Sequence, residues 1–82
     1  MLLNYSIDLN LRDSDGKTSL MWAIIKNQKS LIKNLLKNKD IDIDIIDKMG
    51  FSALTYAVEK GDEKAVKMLL KRKPHIDKHL LI

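Results

Sequence analysis

The chain of 82 residues is bounded to one small domain, a size at which only about 60–65% of the unfolded chain's surface is buried on folding. Apolar residues make up 45% and charged residues 32%, the balance of a folded chain, and the absence of cysteine removes disulfides and thiol chemistry. The net charge of +4 rests on lysines with no aromatics interleaved among them, which argues against a nucleic-acid partner.

No apolar run approaches the ~20 residues needed to cross a bilayer, so no membrane partner is expected. The start, Met1-Leu2-Leu3-Asn4-Tyr5, lacks the basic opening and long apolar centre of a signal peptide. A reducing, cytoplasmic setting is the expectation.

Taken in order, the chain repeats itself. Met1-Leu2-Leu3 matches Met68-Leu69-Leu70, so the chain is expected to start in mid-repeat. Asp8-Leu9-Asn10 is answered by Asp42-Ile43-Asp44, and the turn ending in Gly16 by the turn ending in Gly50, each 34 residues on. Both glycines suit a turn that needs positive φ. Thr18 and Ser52 follow as N-caps, each without Glu or Gln three residues later, so no capping box is expected.

A first helix is expected on Leu20, Ala23 and Ile24, and its copy on Leu54, Ala57 and Val58. Asn27 and Gly61 close these helices, both tolerant of left-handed backbone. A second helix follows over residues 29–37 and then 62–72, the latter with Asp62 as N-cap; the expected buried stripes are Leu31, Ile32, Leu35, Leu36 and Ala65, Val66, Leu69, Leu70. The short links force each pair antiparallel. One inserted residue before Ile41 makes the distance from Ile43 to Ile76 33 rather than 34. The pattern ends after Asp77.

A period of this length with matched apolar positions marks a stacked repeat. Thr18-Ser19-Leu20-Met21-Trp22-Ala23 and Ser52-Ala53-Leu54-Thr55-Tyr56-Ala57 resemble the Thr-Pro-Leu-His-x-Ala signature of ankyrin repeats. Ser6-Ile7-Asp8-Leu9-Asn10, Asp40-Ile41-Asp42-Ile43-Asp44 and Pro74-His75-Ile76-Asp77 resemble the segment that joins them. The resemblance implies an all-α fold, a solenoid of two stacked antiparallel helix pairs with extended turns. Its divisions are a partial repeat at residues 1–12, repeats at 13–46 and 47–78, and a tail at 79–82. The family's Pro is Ser19 or Ala53 here and its His is Met21 or Thr55; that His normally ties neighbouring turns, so weaker ties are expected.

Other constellations carry little. Asp40, Asp42 and Asp44 resemble a calcium loop, but the required Gly and Glu are Ile45 and Phe51, so an acidic connector with Ile41 and Ile43 inward is expected. His75, Asp77 and His79 form a weak metal set near the chain end. No nucleophile elbow or phosphate loop is present, so neither catalysis nor a cofactor is expected. Trp22 and Tyr56, at equivalent positions, are expected to stack between repeats in the core.

Family resemblance implies a protein-binding scaffold without catalytic activity, contacting its partner through turn tips and first-helix positions. These are Ser14, Asp15, Lys17, Ile25 and Lys26, then Lys48, Met49, Phe51, Glu59 and Lys60. Met49, Phe51 and Ile25 amid lysines suit a partner with an apolar anchor and acidic surroundings. The bland alternative folds Phe51 onto the neighbouring turn and packs Ile25 between repeats. A second functional reading is a structural excerpt of a longer array. With so few repeats, self-association through stacked ends or marginal stability as a monomer is expected.

Overall fold

Thr18 and Ser52 decide where the chain begins to coil. In the computed structural model, which describes residues 9–72, both have extended backbone, and each side-chain oxygen accepts the N–H of the residue three further on. The helices that follow are α1 (Ser19–Ile25) and α3 (Ala53–Glu59), each closed by a link to a longer partner, α2 (Lys29–Lys37) and α4 (Glu63–Lys71). The links turn on left-handed residues, Asn27 at φ 59° and Gly61 at φ 67°. Among the described residues there is no strand.

Ser52 does form a capping box, contrary to the expectation from residue type. Thr55 supplies the hydroxyl that Glu or Gln usually contributes, accepting the Ser52 N–H at 3.2 Å while Ser52 Oγ accepts the Thr55 N–H at 3.2 Å. The position that carries His in the signature is thus used for capping in the second repeat. In the first it holds Met21, which is fully buried.

The helices pack as two layers. α1 lies against α3 and α2 against α4, while each pair closes on itself through α1–α2 and α3–α4 contacts. The core draws Leu20, Met21, Ala23 and Ile24 from α1, Ile32 and Leu35 from α2, Ala53 and Ala57 from α3, and Ala65 and Leu69 from α4. Ile41 and Ile43 of the connector point inward, as their alternation with aspartates requires. Leu20, Ile24, Ile32 and Leu69 are essentially sealed, so truncating any one to Ala should cost about 2–5 kcal/mol.

Two residues expected in the buried stripes, Leu31 and Leu70, lie outside them, as does Val58 of the apolar pattern that places α3. Val58 is 60% exposed, Leu70 46% and Leu31 40%. Successive helical residues are rotated by about 100°, so when Ala65 and Leu69 face α3, Leu70 is carried to the outer flank. Leu31 and Val58 are flank positions for the same reason: their helices bury neighbouring residues against the other layer.

One difference between the pairs is testable. Asp62 caps α4, its Oδ1 accepting the Ala65 N–H at 3.1 Å, whereas Gln28 at the start of α2 makes no side-chain cap. The backbone there is already suitable, at φ −92° and ψ 83° against −85° and 90° at Asp62. Gln28→Asp should therefore raise stability by about 0.5–1 kcal/mol, measured as a shift in the urea midpoint without a change in slope.

Candidate functional site

The turn tips are built around one aspartate each. The Asp13 backbone N–H donates to the Lys17 carbonyl and Gly16 N–H donates to the Asp13 carbonyl, both at 2.9 Å; Asp47, Phe51 and Gly50 repeat the pattern at the same distances. Oδ1 of Asp13 accepts the N–H groups of Asp15 and Lys17 at 2.9 Å. Oδ1 of Asp47 accepts those of Met49 and Phe51 at 2.9 Å. The second carboxylate oxygen then reaches forward to the following helix. Asp13 Oδ2 accepts Trp22 Nε1–H at 2.8 Å, and Asp47 Oδ2 accepts the Tyr56 hydroxyl.

This corrects the placement of Trp22 and Tyr56 in an inter-repeat stack. Trp22 is 38% exposed and Tyr56 half-buried, because each polar edge is drawn to the aspartate of its own turn. The ring of Trp22 lies 5.7 Å from Lys17 Nζ and 5.9 Å from Lys26 Nζ. Phe51 meets Tyr56 edge to face, with ring centroids 5.5 Å apart. Its neighbour is therefore the helix of its own repeat.

Electrostatics follow from these bonds. The indole N–H of Trp22, helped by the turn amide of Lys17, holds the Asp13 carboxyl below its ordinary range. The Tyr56 hydroxyl does the same for Asp47, whose carboxylate is buried and lies 3.9 Å from Lys17 Nζ. The hydrogen bond to Asp47 and burial push the Tyr56 hydroxyl up to about 12.

The tips are joined to each other. Lys48 N–H donates to the Asp15 carbonyl at 3.0 Å. A shallow groove of about 450 Å³ runs between the turns, lined by Arg12, Asp13, Gly16, Ile46, Asp47 and Lys48. Of the expected contact residues, Ser14, Asp15, Lys26, Lys48, Met49, Glu59 and Lys60 are exposed, and Lys17, Ile25 and Phe51 are half-buried. Among the described residues Met49 is the barest large apolar side chain, 71% exposed. Lys60 has a second duty, donating from Nζ to the Ile25 carbonyl at 2.8 Å.

Further ties replace the missing histidines. Asn10 donates from Nδ2 to the Asp40 carbonyl at 3.0 Å and accepts the Asp42 N–H at 2.7 Å. Arg72 donates to the carbonyls of Leu36 at 2.7 Å and of Asn38 and Ile41 at 3.2 Å. Nothing in the spacing of apolar residues points to Arg72. Asp13 and Asp47 were not singled out from the sequence either, although it holds a signal for them: each precedes its aromatic by nine residues, Trp22 in one repeat and Tyr56 in the next. In the connector, Asp42 Oδ1 accepts the Asp44 N–H at 2.9 Å, a local turn bond. His75, Asp77, His79, the terminal Leu80-Leu81-Ile82 and the opening Met1-Leu2-Leu3 lie outside the described residues.

A family model described as ankyrin repeats (3 copies) matches residues 1–80. No curated protein matches the chain.

Two outcomes follow from the turns. A Cβ at Gly16 would lie 3.0 Å from the Lys48 nitrogen and 3.2 Å from the Asp47 Cα, while one at Gly50 meets nothing within 4 Å. Both glycines have positive φ, +82° and +85°, so Gly50→Ala should cost about 1 kcal/mol from backbone strain alone. Gly16→Ala should cost measurably more in the same denaturation experiment, because it also pushes on the neighbouring turn. The Tyr56 hydroxyl titrates higher folded than unfolded, about 12 against 10.0. Its stabilising contribution is complete below pH 10 and is lost as pH rises toward 12, a slope that Tyr56→Phe should flatten. Asp47 has the opposite sign: its contribution is present above 3.8 and is lost as pH falls through its depressed folded value. Melting temperature against pH, with tyrosinate absorbance in a Tyr5→Phe background, reads the alkaline limb.

Proposed function

The chain belongs to the ankyrin repeat family, whose domains are generally protein-binding modules, and we propose that it binds a partner protein through the strip formed by its turn tips and the exposed positions of α1 and α3. The single observation that carries this is Met49. Its turn is held by backbone amides and the Asp47 carboxylate, so folding needs no apolar side chain there, yet one projects with 71% of its surface in water.

Trp22 joins the expected set. A half-exposed tryptophan pinned by a hydrogen bond has little rotamer freedom left to lose on binding, and tryptophan is enriched among residues that dominate interfaces. Lys17 and Lys26 flank its ring, and Lys48 and Lys60 stand exposed nearby in sequence to Met49 and Phe51. An apolar centre with cationic edges suits a partner that presents a hydrophobic anchor among carboxylates. Phe51 and Ile25 contribute only their exposed portions, since Phe51 also braces Tyr56.

No enzyme family is matched, and no helix of the described residues is long and apolar enough to cross a membrane. The reading is tested with a photo-crosslinking residue placed at Met49 and, as control, at exposed Lys39. Adducts should form from position 49 and not from position 39. Met49→Ser should then weaken the captured partner by about tenfold while changing stability by less than about 0.5 kcal/mol. Adducts from the control position alone would overturn the assignment, and adducts from neither would favour a structural segment of a longer array.

A further inference from the structure

The second layer of helices carries a charge that nothing in the described residues balances. α2 has Lys29, Lys33 and Lys37 and no carboxylate; α4 has Lys64, Lys67 and Lys71 with Glu63, a net of +5 on the layer against +4 for the whole chain. The rest of the molecule is therefore slightly acidic, and charge is segregated between the layers. Lys33 and Lys67, like Lys37 and Lys71, are 34 apart, so the stack aligns them as rungs. The sole ion pair among the described residues is Lys17 with Asp47, both in the turns and neither in α2 or α4.

Between α2 and α4 lies a groove of about 360 Å³, lined by Lys29, Lys33, Lys64, Lys67 and Met68. Four lysine side chains from two helices thus line one concavity whose remaining lining residue is a half-buried methionine. Lysines at i and i+4 repel, as Lys29, Lys33 and Lys37 do along α2. An anionic occupant would relieve that repulsion.

We propose that this groove docks an acidic segment of a partner polypeptide, laid along the α2–α4 seam with carboxylates against the lysine rows. The site is separate from the turn-tip strip and stands independently of it. Charge complementarity selects the occupant, and two competing polyanions fit less well. Bases need aromatic platforms, and Trp22, Phe51 and Tyr56 all belong to the turns or to α1 and α3, none to α2 or α4. A lipid surface needs an amphipathic helix with its apolar face free, and here Ile32, Leu35, Ala65 and Leu69 are spent in the core, which leaves one outward leucine per helix, Leu31 and Leu70. The thioether of Met68 supplies an adaptable apolar contact for the stems of Glu or Asp.

The test uses the full chain and a fluorescein-labelled oligoglutamate peptide, read by fluorescence anisotropy. Binding should saturate and weaken steeply with added salt. The double substitution Lys33→Glu and Lys67→Glu should lower affinity by about tenfold or more, with Lys33→Gln and Lys67→Gln intermediate. Melting temperature should stay level or rise in both, because the lysines are exposed and repel one another. Met49→Ser should leave peptide binding unchanged. Equal affinity in the reversed-charge variant would overturn the proposal. So would tighter binding, at matched salt, of oligouridylate or of phosphatidylserine-containing vesicles than of the peptide.

Discussion

A single carboxylate at each turn holds two kinds of structure together. One oxygen of Asp13 or Asp47 gathers the backbone N–H groups of its own turn, and the other takes the polar edge of an aromatic on the next helix. The extended tip and the rigid helix are thereby oriented relative to each other by one side chain. The N-caps at Thr18 and Ser52 sit between these two anchors, so the path from tip to helix has few remaining degrees of freedom. Everything that the tips display, Met49 above all, is displayed at an angle set by this bond.

The apolar period was enough to place the helices, their antiparallel links and the inward isoleucines of the connector, because those depend on burial and local backbone alone. Asn27 and Gly61 were legible for the same reason, since a left-handed link has a short menu of residues. What failed was direction within a helix. Val58, Leu31 and Leu70 share the apolar character of the core, but their exposure depends on which flank the next repeat covers, a tertiary fact. Trp22 and Tyr56 misled in another way: size and equivalence pointed inward, while a polar edge and a carboxylate nine residues earlier pulled them to the tip. The capping box was missed because Thr55 performs with a hydroxyl what the usual carboxylate or amide does. The groove lysines read as plain solvated surface until the packing of α2 on α4 brought them to one concavity.

The two layers divide their labour by chemistry. The first helices and turns combine aspartates, aromatics and a few lysines in specific, directional bonds. The second helices present an almost unbroken cationic face with simple geometry. Departures from the family signature fall in the first layer: where histidine would tie turn to turn, Met21 fills the core and Thr55 caps a helix. The ties have moved to the main chain at Lys48 and Asp15 and to the side chains of Asn10, Lys60 and Arg72.

Those ties share a property. Asn10 reaches Asp40 and Asp42, Lys60 reaches Ile25, and Arg72 reaches Leu36, Asn38 and Ile41, so each crosses to the adjoining repeat and none goes further. A chain whose units speak only to their neighbours behaves as a short linear lattice, with one intrinsic term per unit and one coupling term per junction. The guanidinium of Arg72 occupies the carbonyls at the end of α2, so the last turn of one helix pair is completed by the pair after it. Loss of order in the second pair therefore hands those carbonyls back to water and removes a directional tie from the first, so melting that begins in one unit is handed on to the next.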